Sequence, residues 1–541
     1  MSRTRARTKV AAAALGLTFM LTACSGGSGS TSSTGGATNA APVTLRVQST
    51  DPGYLIPGRN TVAYDFDMAV WAPLTWIDDS GKLTYVAADS VTSDDATTWT
   101  ITLKKGWTFQ DGSPVTAQDY VDSWNTVAYG PNAFENSGQL AHVVGYTDLN
   151  PAGGATPTVK EMSGLKVVDD QTFTVTLDGP DGQFPLQLSQ GQTAMYPMPK
   201  GASADLAAYN KHPIGNGQYE IVGDYAEGET ITVKKYADYK GTPGTVDEIA
   251  FVPYTDTATA YTDVQAGNLD VAGVGADKLI QAKTDFGDRL YAFKAAGIAY
   301  LGLPLYDPRY QDIKVRQAIS MAIDRKTINE QIYGGLYSPA TAFTPAIELG
   351  TPVGLCGELC EFHPDKAKAL LAQAGGFSGT MTVYYPGGIG ADAFYTAIAN
   401  QLRQNLGIDA VAQASTDWAE FYQTRLNQKA PGPFFSRWGA LYPSQQNHLR
   451  AFFVKGGGCD NCVPWYDDQV ASLLKTADAQ VDADKAAAAY KAAQERILAE
   501  FPAVPLFDEA YSYVVSDRVK NLPTSAVGNP TLTQVVMADG S

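Results

Sequence analysis

The sequence predicts a mixed α/β protein whose lobes carry a hairpin-rich subdomain placed early in the chain. Strand runs of period two cluster before residue 240, and runs of helical period alternate with short strands after residue 310. The 541 residues supply chain for roughly three to four domains, so large cores can be buried.

In order, Val43 to Val47 reads as a strand, closed by the turn Asp51-Pro52-Gly53. Trp99, Ile101 and Leu103 alternate with threonines and Lys104, the pattern of a half-buried strand. Gly106 and Asp111-Gly112 make turns, and Thr116 caps a helix through Tyr120 and Trp124. Val167-Val168, Asp169-Asp170, then Phe173, Val175 and Leu177 form a second hairpin, and Ile231 to Tyr236 is another strand. Helices are predicted over 314–332, 365–374, 391–406 and 482–500, stopped by Gly375-Gly376, Gly407 and Pro502 where those occur. Met381 to Val383 and Ile408 to Val411 read as strands between them.

Composition narrows the function. Hydrophobic residues are 44% and aromatics 11%, and 56 acidic residues face 39 basic ones, a formal net charge of −17. Such a chain lacks the clustered Lys and Arg that nucleic acid demands. Arg3, Arg5, Arg7 and Lys9 precede an apolar stretch from Val10 to Met20, too short to span a bilayer. It ends in Leu21-Thr22-Ala23-Cys24, which resembles the bacterial lipobox. That resemblance implies removal of residues 1–23 and acylation of Cys24, with the alternative of an ordinary secretory signal and a chance cysteine. Residues 24–41 are an uncharged tether rich in Ser, Gly, Thr and Ala, reaching about 20–25 Å.

Four further cysteines form the pairs Cys356-x-x-x-Cys360 and Cys459-x-x-Cys462. A four-cysteine zinc site uses similar spacing but with far fewer residues between pairs, and an exported chain meets oxidising conditions, so disulfides are the better reading. Of three connectivities, the two local loops are favoured because both pairs sit among glycines.

Several stretches together resemble one family. Thr98-Trp99-Thr100-Ile101-Thr102-Leu103 runs on through Trp107-Thr108-Phe109-Gln110-Asp111-Gly112-Ser113-Pro114 to Asp119. Pro213 to Tyr219, Gln265 to Asp270, Val315-Arg316-Gln317-Ala318-Ile319 to Arg325, and Ala367 to Leu371 follow in order. Asp417-Trp418, Trp438-Gly439-Ala440 and Pro502 to Phe507 complete a pattern that resembles the family 5 solute-binding proteins of bacterial ABC importers, the dipeptide- and oligopeptide-binding type. The resemblance implies a two-lobed, type II periplasmic-binding-protein-like clamp with an extra subdomain inserted in lobe I. Lobe I would be 42–296 with the insertion at about 58–190, lobe II 297–505, and 506–541 a return to lobe I. It implies a monomeric, lipid-anchored protein on the outer face of the cytoplasmic membrane. That protein would need no cofactor, catalyse nothing, and hand a solute, an oligopeptide first, to membrane permease subunits.

The residues agree with a binder. There is no G-x-S-x-G, H-E-x-x-H or P-loop motif, and the four histidines lack metal-ligand spacing and read as solvated or capping. Asp324-Arg325 and Asp467-Asp468 read as surface or lobe-interface charges. In oligopeptide-binding relatives a Trp-x-Ala-Asp segment borders the pocket, its Asp pairing with the peptide ammonium. The matching stretch is Trp438-Gly439-Ala440-Leu441, where Leu441 stands in place of the acid, and Arg437 precedes it. Trp418 is the second aromatic expected at the pocket, with Tyr54 and Arg59 from lobe I; the Asp65–Asp67 region is the alternative source of an anion. Alternative functions are binding of an oligosaccharide or other non-peptide solute, and a surface or signalling lipoprotein of the same fold.

Overall fold

Two 13-residue strands, Leu290–Gly302 and Ala503–Val515, lie antiparallel along the middle of the structure. The computed structural model describes residues 42–78, 81–189, 191 and 195–538; the leader, the tether and Cys24 lie outside the described residues. The long pair belongs to an 11-stranded sheet. On one side come Phe434–Gly439, Met381–Tyr385 and Ala410–Ala414; on the other come Val271–Gly273, Thr44–Ser49, Glu248–Pro253, Ile231–Lys235 and Tyr219–Ile221, and the short Ser338–Pro339 pairs with the second long strand off this path. At about 3.3 Å per residue each long strand reaches roughly 40 Å, and its two halves pack into different cores. The larger core gathers side chains from 45–251, 271 and 515–535, and the second from 279–507. Pairing of the long strands slips between Lys294 and Ile298, where Ala296 turns its N–H to Val527 and its carbonyl to Ala440 instead.

The hairpin-rich segment forms its own four-stranded sheet, Ala88–Thr92, Thr98–Leu103, Thr172–Thr176 and Leu165–Asp169. Trp99, Ile101 and Leu103 are buried while the intervening threonines face outward, as the period-two pattern requires. Thr116 and Asp119 close a reciprocal capping box on helix Ala117–Ala128. That fixes Tyr120 and Trp124 against Phe173, each with ring centroids 5.7 Å away. Truncating a buried Trp of this kind costs about 3–5 kcal/mol.

The predicted helix over 314–332 is two helices, Ile313–Met321 and Arg325–Ile332. Asp324 causes the break: its carboxylate accepts from Thr327 N at 3.0 Å and caps a new helix. Arg325 is no surface charge. It is buried, donates to Pro505 O at 2.9 and 2.8 Å, and so bolts this helix to the second long strand. Burial pulls its pKa down to about 9. His448 is likewise fully buried, 2.8 Å from Glu348, rather than solvated. The remaining helices, Pro364–Gln373, Asp392–Leu406 and Ala483–Glu500, fall where predicted. Gly407 ends the second of these at φ 70°, a conformation that costs glycine nothing.

Disulfides join Cys356 to Cys360 and Cys459 to Cys462, the two local loops favoured from the sequence. Among the described residues no helix is long and apolar enough to cross a membrane, and no group of three His, Cys, Asp or Glu is placed to hold a metal ion.

Candidate functional site

The strand Phe434–Gly439 has one satisfied edge and one open one. Along its first edge it pairs antiparallel with Leu290–Gly302, from Gly302↔Phe434 to Gly297↔Gly439. On the other edge it meets Met381–Tyr385 only at Tyr384↔Phe434, so residues 435–439 run on past the end of that neighbour. Ala440 N donates to Ala296 O in the same register, and Pro433 O accepts from Tyr384 N on the opposite edge. Backbone groups alternate sides along a strand. Even-numbered residues therefore bond to the long strand, and the N–H and C=O of Arg437 and Gly439 point to the unpaired edge. An extended chain can dock on such an edge as an added strand.

Side chains alternate with the same period. Phe435, Arg437 and Gly439 share one face, on which Phe507, Glu509, Tyr511 and Tyr513 project from the second long strand. Arg437 Nε lies 2.5 Å from Glu509 Oε1, and the two side chains differ sharply in access, 43% exposed for Arg437 and 5% for Glu509. The carboxylate beside it holds the Arg437 guanidinium well above its ordinary pKa. Glu509 Oε2 is buried with no hydrogen-bond partner, and a Cβ on Gly297 would fall 2.6 Å from it. Gly297 therefore lets the carboxylate lie on the strand floor. Its pairing partner Gly439 is equally bare, and a Cβ there would meet the Tyr511 hydroxyl at 3.1 Å. Tyr337 stacks on Tyr333 at 4.1 Å and Tyr395 on Tyr385 at 4.7 Å. Burial pushes Tyr333, Tyr337 and Tyr395 upward, so their phenols remain protonated donors.

Trp418, the first residue of helix Trp418–Leu426, is 48% exposed and meets Phe435 edge-on at 5.7 Å. It is not core. Trp438 lies on the opposite face, its indole N–H donating to Asn447 Oδ1 at 2.8 Å. The same oxygen accepts from Leu441 N at 3.1 Å, so Asn447 holds Trp438, Gly439, Ala440 and Leu441 in one bend. Tyr54 and Arg59 form a separate cluster: the guanidinium lies 3.5 Å over the Tyr54 ring and 3.3 Å from Glu135. Asp67 is buried and bonded to Asn60, a structural acid. Asp65 is pushed up to about 6 by burial and lines a cavity of about 390 Å³ with Met68, Trp71, Trp76 and Tyr239.

Beyond Leu441 the two halves of the molecule touch. Gly182 N donates to Asp478 O at 2.6 Å, Gln446 Nε2 to Asp181 Oδ1 at 2.9 Å, and Ser444 Oγ to Gln183 Oε1 at 2.8 Å. Asp478 is buried between Tyr490 and Arg450, and burial pushes it up to about 6.

Residues 82–459 match the family model described as bacterial extracellular solute-binding proteins, family 5 Middle. The chain belongs to that family. Its members are substrate-binding rather than catalytic proteins of ABC importers. Among its relatives is a probable deoxycholate-binding periplasmic protein of Escherichia coli, 25% identical over 87% of this chain and 89% of that one. The periplasmic oligopeptide-binding protein of the same organism is 25% identical over 80% of each. The unliganded open form of a periplasmic murein tripeptide-binding protein matches the structure with a TM-score of 0.77, at 22% identity, over 92% of this chain and 98% of that one. The two-lobed clamp fold expected from the sequence is thus shown.

Glu509, Tyr511 and Tyr337 were not singled out from the sequence. The signal for the first two is present: Phe507, Glu509, Tyr511 and Tyr513 alternate along one face of a strand whose other residues, Asp508 apart, are small or aliphatic. One acid on an apolar strand face asks for a partner.

Proposed function

We propose that the protein is the lipid-anchored receptor of an ABC importer, capturing an oligopeptide outside the cell and passing it to membrane permease subunits. The observation that carries the reading is the unpaired edge at Arg437 and Gly439, set between the two cores and walled by Phe435, Trp418, Tyr337 and Tyr395. A peptide offers what such an edge needs, alternating N–H and C=O groups at strand spacing, with side chains falling into aromatic-lined pockets. Lobe I would comprise 42–296 and 506–541 and lobe II 297–505, turning about the two long strands, so that closure buries the peptide. Trp438, Gly439, Ala440, Leu441 and Trp418 would border it, with Tyr54 and Arg59 as weaker contributors from lobe I. Cys24 would carry the anchor, the protein would act as a monomer, and it would perform no chemistry on its cargo.

Native mass spectrometry of the purified protein tests this. The expected result is a co-purified solute whose fragments are those of a peptide. A retained steroid or oligosaccharide, with no exchange against added tri- or tetrapeptides, would overturn the peptide reading and leave the clamp to a non-peptide solute.

A further inference from the structure

We infer that the cavity lined by Asp65 is a recognition site for an organic cation, a primary ammonium or guanidinium group carried on a hydrocarbon stem. Where that group is a side chain of the bound solute, the inference rests on the peptide reading above; where it is a separate amine, it stands apart from it. The cavity holds about 390 Å³, within the range of about 300–1,000 Å³ usual for small-molecule sites. Met68 and Val86 give it apolar walls, and Trp76 and Tyr239 give it aromatic ones. A hydrocarbon stem packs against the first, and a cation is attracted to the second. The opposite charge comes from Asp65.

Asp65 and Asp67 share the helix Tyr64–Val70 and have contrasting surroundings. Asp67 accepts from Asn60 Nδ2 at 3.1 Å, and the same amide bonds to Ala63 O and Ala63 N, so this acid is tied into the turn that starts the helix. Asp65 accepts no hydrogen bond and forms no ion pair among the described residues. A carboxylate withdrawn from water without a partner is costly, and a chain that needed only to fill this space would carry an apolar residue there. A cation from outside satisfies it. The rest of the wall has the same sign: Asp78 also lines the cavity, and among the described lining residues there is no Lys, Arg or His. Tyr513 feels the Asp65 charge and stands in one row with Tyr511 and Glu509 on the second long strand. The cavity therefore adjoins the end of the face proposed to hold the peptide.

The cation can come from a basic side chain of the solute or from a separate amine, and calorimetry separates the two. The probes are N-acetylated alanine tetrapeptide amides carrying Lys or norleucine at each position in turn, and n-pentylammonium alone against n-pentanol. A preference for Lys of at least about tenfold at one position names the side chain. Binding of pentylammonium but not pentanol, with no position preferred, names a separate amine. Asp65→Asn keeps the shape, removes the charge, and should bring either preference to about one. Acid tests the same group without a mutation. Facing Asp65 are Tyr64 and Asp67 on its own helix, Tyr513 on the long strand, and Tyr239 and Asp78 across the cavity; none is basic. The adjoining strand Tyr219–Ile221 brings Glu220, already paired with Lys234 at 3.1 Å. Burial sets Asp65 at about 6, so lowering the pH from about 8 to about 5 protonates it and should cut the preference about tenfold. A Lys-to-norleucine ratio near one at every position, with peptides bound and pentylammonium unbound, overturns the site and leaves the peptide reading standing. So does a preference that survives Asp65→Asn or the change of pH. Pentylammonium bound through Asp65, with every peptide refused, overturns the peptide reading alone; failure of every probe overturns both.

Discussion

Gly182→Ala should loosen the clamp. A Cβ at residue 182 would lie 2.0 Å from Gln480 O and 2.5 Å from its carbonyl carbon. Both are backbone atoms, so no rotamer relieves the contact, and the facing segments must part by more than about 1 Å to regain ordinary separation. Besides a long one of 3.5 Å from Gln187 to Gln446, three hydrogen bonds cross there: Gly182 N to Asp478 O, Gln446 to Asp181, and Ser444 to Gln183. Two are neutral, at about 0.5–1.5 kcal/mol each, and the one to a carboxylate is about 1.5–3, so together they contribute about 2.5–6 kcal/mol. Even the lower figure shifts the balance between engaged and separated halves roughly 60-fold. The apparent affinity for a ligand that needs the engaged form falls with its population. Small-angle scattering of the variant should show a larger radius of gyration than wild type, and titration with a bound peptide should show Kd raised by tens of fold. A scattering profile superimposable on wild type, with Kd within twofold, would refute the reasoning: the contact would then be incidental to closure.

Three further outcomes are expected. Burial raises Asp478 to about 6 from an ordinary 3.8, so the folded state binds its proton more tightly than the unfolded chain; its contribution to stability falls as pH rises from about 4 to about 6. Asp478→Asn should remove that slope, and thermal melts of both proteins across pH 4 to 7 would show no difference in slope if the assignment is wrong. Leu441→Asp should turn preference toward peptides with a free amino terminus, because an ammonium buried without an anion typically forgoes about 2–5 kcal/mol; calorimetry of matched free and N-acetylated peptides checks this, and an unchanged ratio would count against Leu441 as a pocket residue. Cys24→Ala should leave the protein unprocessed or released, as membrane fractionation and intact mass would reveal; unchanged fractionation would remove the lipid anchor.

Strand and helix periods were legible because they are local. The Trp99–Leu103 alternation, the Thr116 cap and the Gly407 stop each depend on residues within one turn or one strand. The break at Asp324 was misread because Ala322 and Ile323 continue the apolar stripe, and only the capping bond to Thr327 shows that the helix has restarted. Arg325 and His448 were misread for a different reason: their partners, Pro505 and Glu348, are about a hundred residues or more away. The site followed the same division. Trp418 and Trp438 stood out as residue types, but the Arg437–Glu509 pair exists only through the register that sets Gly297 opposite Gly439 and Ala299 opposite Phe507. No window of sequence contains that register.

The central claim is that a peptide docks along the open edge of Phe434–Gly439, and residue-resolved hydrogen exchange tests it most directly. Exchange would be followed with and without a saturating concentration of a tri- or tetrapeptide that the protein binds. Among these backbone amides, Arg437 and Gly439 point to the open edge while Ser436 and Trp438 already donate to the neighbouring long strand. Bound peptide should slow exchange at Arg437 and Gly439 and leave Ser436 and Trp438 unchanged, an alternation that general tightening of the protein would not produce. Uniform slowing of all four, or no change at Arg437 and Gly439 under saturating peptide, would contradict the account.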